Sequence, residues 1–339
     1  MYDVMAIGNA LVDHEYVLSD AALEETELTK GNMTLAAIEE QQQLLAYFQL
    51  ANIAPSKQAG GGSAANTMYT FASLGGKPFY ACRVGDDEQG KFYLKDLNAA
   101  GVATSEKSVH KGGVTGSCVV AVTEDGERTM QTYLGTSSDI TADNVDFDAL
   151  MHADWLYLEG YLAMSEGIQP AMTQLRQQAG IHGAKIVVGF ADPAVVKFAK
   201  DGLLNMLGNK VEVIFCNVEE ARLFTDKKQI KAAARALLDY CRIAVVTDSA
   251  NDTIIAHKPD DSSEIDIHQV STPTVANVID TNGAGDNYAG AFLYALSQQY
   301  TLPECGRLAS EVASQVVQQF GPRLASKEYQ DIAQRVLMT

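Results

Sequence analysis

The chain has 339 residues, 47% of them hydrophobic, which is enough for one large α/β domain or a core with a smaller appendage. With 43 acidic against 25 basic side chains, its formal charge of −18 argues against nucleic acid as a partner, because a phosphate backbone needs a basic footprint. A phosphorylated small ligand, held by backbone amides, magnesium and one or two local cations, stays open.

In chain order, short apolar runs suited to buried strands fall at Val4–Ile7, Phe79–Val84, Trp155–Leu158, Lys185–Val188, Val211–Cys216 and Ile243–Thr247. Amphipathic stretches alternate with them, at Ser63–Leu74, Ile168–Ala179, Glu219–Thr225 and Gln229–Cys241. This alternation predicts a doubly wound, mainly parallel sheet with helices on both faces.

Two segments break the rhythm. Residues 11–58 contain a predicted helix over Thr34–Phe48, with Leu35, Ile38, Leu45 and Phe48 on one side. Residues 109–135 show glycine-bounded β-branched alternation, a hairpin pattern turning at Asp125-Gly126. Together they predict a small β-rich lid, with residues 1–10, 59–108 and 136–339 forming the core; a packed structural subdomain is the alternative. No internal repeat or low-complexity linker occurs.

No run of eighteen apolar residues suggests a membrane span, and Met1–Ile7 leads into a strand without a secretion-type segment. Cys82, Cys118, Cys216, Cys241 and Cys305 show no CxxC spacing, so reduced thiols in a cytoplasmic protein are expected. The six histidines show no HExxH or HxH spacing, and GxxxxGK[ST], HRD and DFG are absent, which removes the P-loop and protein-kinase classes.

The most informative stretch is VIDTNGAGDNYAGAFLYAL, residues 278–296. An apolar strand end is expected to lead through Thr281 and Gly283-Ala284-Gly285 to Asp286, where a helix begins. Small residues let successive N–H groups point outward at a helix N-terminus, which makes an anion site without a basic side chain. Asp286 stands at its mouth, either as an acidic group for chemistry or as an ordinary N-cap.

Asp280-Thr281-Asn282-Gly283-Ala284-Gly285-Asp286 resembles the C-terminal signature of the ribokinase-like (PfkB) carbohydrate and nucleoside kinases. AGGGSAANTMYTFASLGGKPFYACRVGDDEQG, residues 59–90, is similar to the N-terminal signature of that family. The two motifs are in the family's order and the resemblance spans nearly the whole chain, closest in pattern to the bacterial adenosine kinase-like members.

The resemblance implies a Mg-ATP-dependent kinase in which Asp286 takes the proton of the attacking hydroxyl and the amides of Gly283, Ala284 and Gly285 form the anion hole. It puts Asp13 on the acceptor's hydroxyls with Asn9 close by, Gly61 and Gly62 against the sugar, and Asn66 in hydrogen-bonding reach. By composition alone, GGGS reads as linker and Asn66 as a surface amide. Tyr161 falls where nucleoside kinases of the family keep an aromatic ring; a core tyrosine at a strand end is the alternative reading. The long 11–58 segment favours a nucleoside over a plain sugar such as ribose, fructose or ketodeoxygluconate. A phosphorylated sugar would need a basic cluster near the lid, where only Lys30, Lys57 and Arg83 are scattered.

On the nucleotide side, Asn217-Val218-Glu219-Glu220 matches the family's NxxE, which implies that Glu220 acts on magnesium through water; the same spacing is a helix capping box. Thr247 and Thr281 are further expected nucleotide contacts. Arg128 on the hairpin is either a cation brought to the transferring phosphate by lid closure or a solvated side chain. Asp280, Asn282 and Gly321 are the implied carbonyl donors of a monovalent cation such as K+. The sequence departs from the family at Thr247-Asp248-Ser249-Ala250-Asn251-Asp252, where both glycines of TxGxxG are replaced. An exposed lid face would also suit pairing with a second copy.

Overall fold

The structure, a computed structural model, describes residues 1–259 and 264–337. Strand β1 (Tyr2–Ile7) is followed by an excursion through β2 (Leu11–Val17), α1 (Asp20–Glu24), β3 (Met33–Leu35), α2 (Ile38–Leu50) and β4 (Lys57–Gly61). The chain returns through α3 (Ser63–Ser73), β5 (Pro78–Ala81), β6 (Val84–Gly85), α4 (Glu88–Ala99) and β7 (Val109–His110). A hairpin of β8 (Gly116–Val122) and β9 (Arg128–Tyr133) then leaves the core again. Next come α5 (Phe147–Met151), β10 (Ala153–Glu159), α6 (Gln169–His182), β11 (Lys185–Gly189), α7 (Pro193–Phe198) and α8 (Lys200–Leu207). They are followed by β12 (Val211–Asn217), α9 (Val218–Thr225), α10 (Ile230–Leu237) and β13 (Cys241–Asp248). The last elements are β14 (Asn251–His257), β15 (Asp266–Val270), α11 (Ala284–Ser297), α12 (Leu302–Val316) and α13 (Ser326–Leu337).

The main sheet has the order β15-β14-β13-β12-β11-β10-β1-β5, parallel from β5 to β13. Its central strands are apolar on both faces, as helices on both sides require. Met5, Leu156, Val188, Ile214 and Ala244 pack under α5 to α10. Val4, Tyr157, Val187, Val213 and Val245 pack on the opposite side with α3, α4, α11, α12 and α13. The expected doubly wound α/β fold is thus the one observed.

The two excursions meet in a second, five-stranded sheet of order β3-β9-β8-β2-β4. Strand alternation gives it two unlike faces. Tyr16, Val119 and Ala121 join Leu23, Leu44 and Phe48 beneath α1 and α2. Register puts Asp13, Glu15, Cys118, Val120, Val122, Arg128 and Met130 on the other face. That face lies over the loop that leads into α11, where Asp13, Glu15, Val120 and Arg128 share a small cavity with Asn282, Gly321 and Pro322.

Four local expectations differ from the structure. The helix predicted from Thr34 starts only at Ile38, because Met33–Leu35 pairs with β9 and Ala36 N–H donates to Thr132 O at 2.9 Å. Leu35 is therefore exposed instead of lying on the helix face, and Leu44 is buried in its place. The Phe79–Val84 run divides into β5, paired with β1, and β6, paired with β7. Residues 278–280 are not a strand end: Val278 and Ile279 are exposed, and the backbone N–H groups of Ile279 and Asp280 donate to Val317 O. The antiparallel strands β14 and β15, with β15 at the sheet edge, were absent from the expected runs; β14 follows β13 through a two-residue turn.

Candidate active site

At the start of α11, Gly283 is the N-cap residue, with φ +73°, a conformation that a β-carbon disfavours. A Cβ there would also lie 2.7 Å from the Pro322 carbonyl oxygen. Asp286 is then the third helical residue. It is not the cap, so its carboxylate is free for other partners. Ser63 Oγ donates to Asp286 Oδ1 at 2.6 Å and Asn66 Nδ2 donates to Oδ2 at 2.9 Å. The backbone N–H groups of Gly285 and Asp286 have no acceptor among the described residues, and the space before Gly285 is open. These are the orphan donors of a helix N-terminus, aimed where an anion can sit.

The same wall continues at Glu159, at the end of β10. Its buried carboxylate accepts from Asn9 N at 3.0 Å, Asn9 Nδ2 at 3.0 Å and Ala64 N at 2.8 Å. This ties the loop after β1 to the first turn of α3. Gly62, with φ +96°, lets the chain enter that turn, since a Cβ would meet Asn9 O at 2.3 Å. Tyr93 fixes Gly61 by donating to its carbonyl at 3.0 Å. The glycine-rich stretch is therefore a braced turn and not a linker. Asp13, one strand over, lies directly against Gly61, and no described residue donates to its carboxylate.

Burial dominates the electrostatics of this cleft. It pushes the Asp286 carboxyl up to about 6, against the hydrogen bonds from Ser63 and Asn66 and the nearby Arg323 cation. Burial also pushes Asp13 up to about 7, opposed by Arg323 and Arg128, and Glu159 up to about 7, opposed by the Ala64 and Asn9 amides. A carboxyl near 6 is ionised at neutral pH yet basic enough to accept a hydroxyl proton.

Asp280 is buried and holds the α11 approach together. Its carboxylate accepts from Asn282 N at 2.8 Å and Gly321 N at 2.7 Å, and pairs with Arg128. Arg128 also lies 3.4 Å from Glu15. It is already bridged to the core in this conformation. The other basic groups near the second sheet are similarly engaged: Lys30 pairs with Asp20 and Asp125 at 2.6 Å, Lys57 donates to Phe320 O at 2.8 Å, and Arg83 donates to Asp139 O.

Farther along the sheet edge, Asn217 caps α9. Its N–H donates to Glu220 Oε2 at 2.9 Å, its Nδ2 to Oε1 at 2.7 Å, and Glu220 N–H returns to Asn217 Oδ1 at 2.8 Å. The capping-box reading of this motif is thus realised, and burial pushes Glu220 up to about 7, against the Asn217 amide. Thr247 lies beside Asn217 in the β12–β13 register. Tyr161 is half-buried, with its hydroxyl 3.5 Å from Asp192 Oδ2. Thr281 accepts the Ala284 N–H through its carbonyl.

The structure brings Asn9, Asp13, Gly61, Gly62, Asn66, Gly283, Ala284, Gly285 and Asp286 to one cleft. Asn217, Glu220 and Thr247 lie along the neighbouring strand ends, and Arg128, Asp280 and Asn282 at the joint between the two sheets. Three residues of the cleft escaped the sequence reading: Ser63, Glu159 and Arg323. Ser63 was visible only as the serine of GGGS, Glu159 as the end of an apolar run, and Arg323 as the arginine of GPR.

The chain matches the profile of the pfkB family carbohydrate kinases over residues 31–328. Its structure is similar to the adenosine kinase from Sinorhizobium meliloti, with a TM-score of 0.88 and 32% identity, covering 98% of this chain and 99% of that one. A probable sugar kinase from Rhizobium etli CFN 42 gives a TM-score of 0.89 and 31% identity, covering 100% and 99%. Among curated relatives, the adenosine kinase of Saccharomyces cerevisiae is 26% identical, covering 96% of this chain and 97% of that protein. The ribokinase of Staphylococcus aureus is also 26% identical, covering 82% and 88%. The chain belongs to the pfkB family of carbohydrate kinases and is a phosphotransferase with an alcohol acceptor, in a family whose donor is ATP with magnesium.

Proposed function

We propose that the chain transfers the γ-phosphoryl group of Mg-ATP to the hydroxymethyl group of a nucleoside of adenosine type. The observation that carries the acceptor is full-length likeness. Curated adenosine kinases align over 94% to 96% of this chain, whereas the ribokinase and a 5-dehydro-2-deoxygluconokinase align over 82% and 76%.

Asp286 takes the proton of the acceptor hydroxyl as the oxygen attacks, and the unpaired amides of Gly285 and Asp286, in the turn formed by Gly283 and Ala284, receive the charge of the moving phosphoryl group. Asp13, with no protein donor on its carboxylate, binds the acceptor's neighbouring hydroxyls, with Asn9 beside it. Asn66 is reassigned from acceptor clamp to partner of the base, since its amide is already spent on Asp286 and Arg323. Tyr161 lines the base end of the pocket.

Magnesium bound to the nucleotide phosphates neutralises their charge. No group of three or more His, Cys, Asp or Glu side chains among the described residues could hold a metal, which suits an ion that keeps its waters and arrives on the nucleotide. Glu220 faces that ion through water, held in place by Asn217. The five-stranded sheet of residues 11–58 and 109–135 is the lid, and Arg128 reaches the phosphate by exchanging Asp280 for it.

A sugar kinase is the second reading, favoured by the full-length likeness to the Rhizobium etli protein. ADP release measured with adenosine, inosine, guanosine, ribose, fructose and ketodeoxygluconate, each in potassium and in choline salts, separates the two. Turnover confined to a free sugar defeats the nucleoside reading. Equal rates in both salts remove the monovalent cation expected at the Asp280, Asn282 and Gly321 carbonyls.

A further inference from the structure

Arg323 lies in the loop between α12 and α13. Its side chain is 8% exposed, and the guanidinium stacks over the Tyr69 ring at 4.6 Å. Nη1 donates to Asp96 Oδ2 at 2.7 Å and Nε donates to Asn66 Oδ1 at 2.8 Å, while the buried Nη2 has no acceptor among the described residues. Asn66 then donates its Nδ2 to Asp286 Oδ2 at 2.9 Å.

The chemistry of these groups makes the chain of contacts directional. Arginine can only donate, and a primary amide has one accepting and one donating end. With Arg323 on its oxygen, Asn66 has to turn its NH2 toward Asp286. If the cation were removed, the carboxylate would still favour the NH2 end, but the Asn66 oxygen would lose its donor and the amide its anchor against rotation away from Asp286. We propose that Arg323 is the positioning residue of the reaction: by holding the oxygen of Asn66 it keeps the donor end of that amide on Asp286 and so orients the carboxylate toward the acceptor hydroxyl. The inference rests on Asp286 being the base.

The surroundings make the cation's charge matter as well. Besides Arg323, the titratable groups whose charge is felt at Asp286 are Asp13 on β2, Tyr157 and Glu159 on β10, Tyr161 beyond it and Glu220 on α9. All of these are acidic or neutral, so Arg323 is the charge that opposes burial at Asp286.

The test is a titration of the ligand-free protein carrying 13C-carboxyl aspartate, with Asp286→Asn identifying the signal. Arg323→Met, which keeps an apolar stem over Tyr69, is expected to raise the Asp286 midpoint by about one pH unit or more. Arg323→Lys restores part of the shift and gives the reading if the Met variant does not fold. Asp96→Asn, which removes only the outer tie, leaves the midpoint in place. In turnover with adenosine, or with whichever acceptor the panel identifies, Arg323→Met lowers kcat about 10-fold or more with KM for ATP within about 2-fold. That loss shrinks when Asn66 is already Ala, because the two residues act in one line. An unmoved midpoint in folded Arg323→Met, an Asp96→Asn variant that reproduces the effect, or losses that multiply independently with Asn66→Ala would each overturn the proposal. The titration uses no substrate, so its failure counts against positioning alone, whereas full turnover in Asp286→Asn counts against the base.

Discussion

The two walls of the cleft are built on opposite plans. On the wall around Asp286, side chains distant in sequence depend on one another: Glu159 holds Asn9 and Ala64, Ser63 and Asn66 hold Asp286, and Arg323 holds Asn66. Along the neighbouring strand ends each unit satisfies itself locally, as in the Asn217–Glu220 capping box and the tight β13–β14 turn at Ser249-Ala250. A wall of long-range contacts can hold several buried carboxylates in fixed directions; a wall of local units depends little on the rest of the fold. The difference predicts where substitutions are felt.

The largest stability effect is expected at Gly283→Ala, at the centre of the long-range wall. The new methyl would meet Pro322 at 2.7 Å, and the residue would be held at φ +73°. A left-handed conformation alone costs an L-residue about 1–2 kcal/mol, so a loss of at least about 2 kcal/mol in urea unfolding is expected. Turnover is expected to fall about 100-fold or more as the anion site distorts. A variant as stable as the parent would break the account of this turn.

The pH dependence of stability is a smaller effect and sharpens the comparison. Asp13, Glu159 and Glu220 at about 7 and Asp286 at about 6 lie above their ordinary values of 3.8 and 4.5. Between about pH 4 and pH 7 the folded chain therefore binds more protons than the unfolded chain, and stability falls as pH rises through that window. Ligand-free protein is expected to show a Tm higher at pH 5 than at pH 8 by at least about 5 °C. Three of the four groups belong to the long-range wall, so Asp13→Asn together with Glu159→Gln should flatten the slope more than Glu220→Gln. A Tm that climbs steadily from pH 5 to pH 8 would contradict the burial of these groups.

The smallest effect is expected on the local wall, at Ser249→Gly. Ser249 stands at the first glycine position of the family's TxGxxG and keeps φ at +50°, so the loop holds the glycine-type conformation without the glycine. Relief of about 1–2 kcal/mol of backbone strain is offset by about 0.5–1 kcal/mol of added chain entropy. The net gain in urea unfolding is expected to stay below about 1 kcal/mol, with KM for ATP within about 2-fold. A large drop in ATP affinity would show that this loop is tuned to its serine.

The same contrast governs what the sequence discloses. Strands β10 to β13 and helices α3, α6 and α9 were legible because periodicity and burial are local properties of the chain. The Asn217–Glu220 motif was legible for the same reason, since a capping box spans four residues. Residues 34 and 35 were misread as helix because their pairing to β9 is formed about a hundred residues away. Ser63, Glu159 and Arg323 left no signal of their own: a serine in a glycine run, a glutamate ending a strand and an arginine after a proline acquire meaning only when α3, β10 and the C-terminal loop meet. The resemblance to the family located Asp286 and Asn66 but implied that Asn66 contacts the acceptor; in the structure its amide is bonded to Asp286 and Arg323.

The most direct test of the account is turnover by Asp286→Asn, read beside ATP binding by calorimetry. Asparagine preserves the shape and can still accept from Ser63, so the fold and the nucleotide site should persist. The account predicts a kcat lower by about 100-fold or more with ATP affinity within about 2-fold of the parent. A rate like that of the parent enzyme would contradict it.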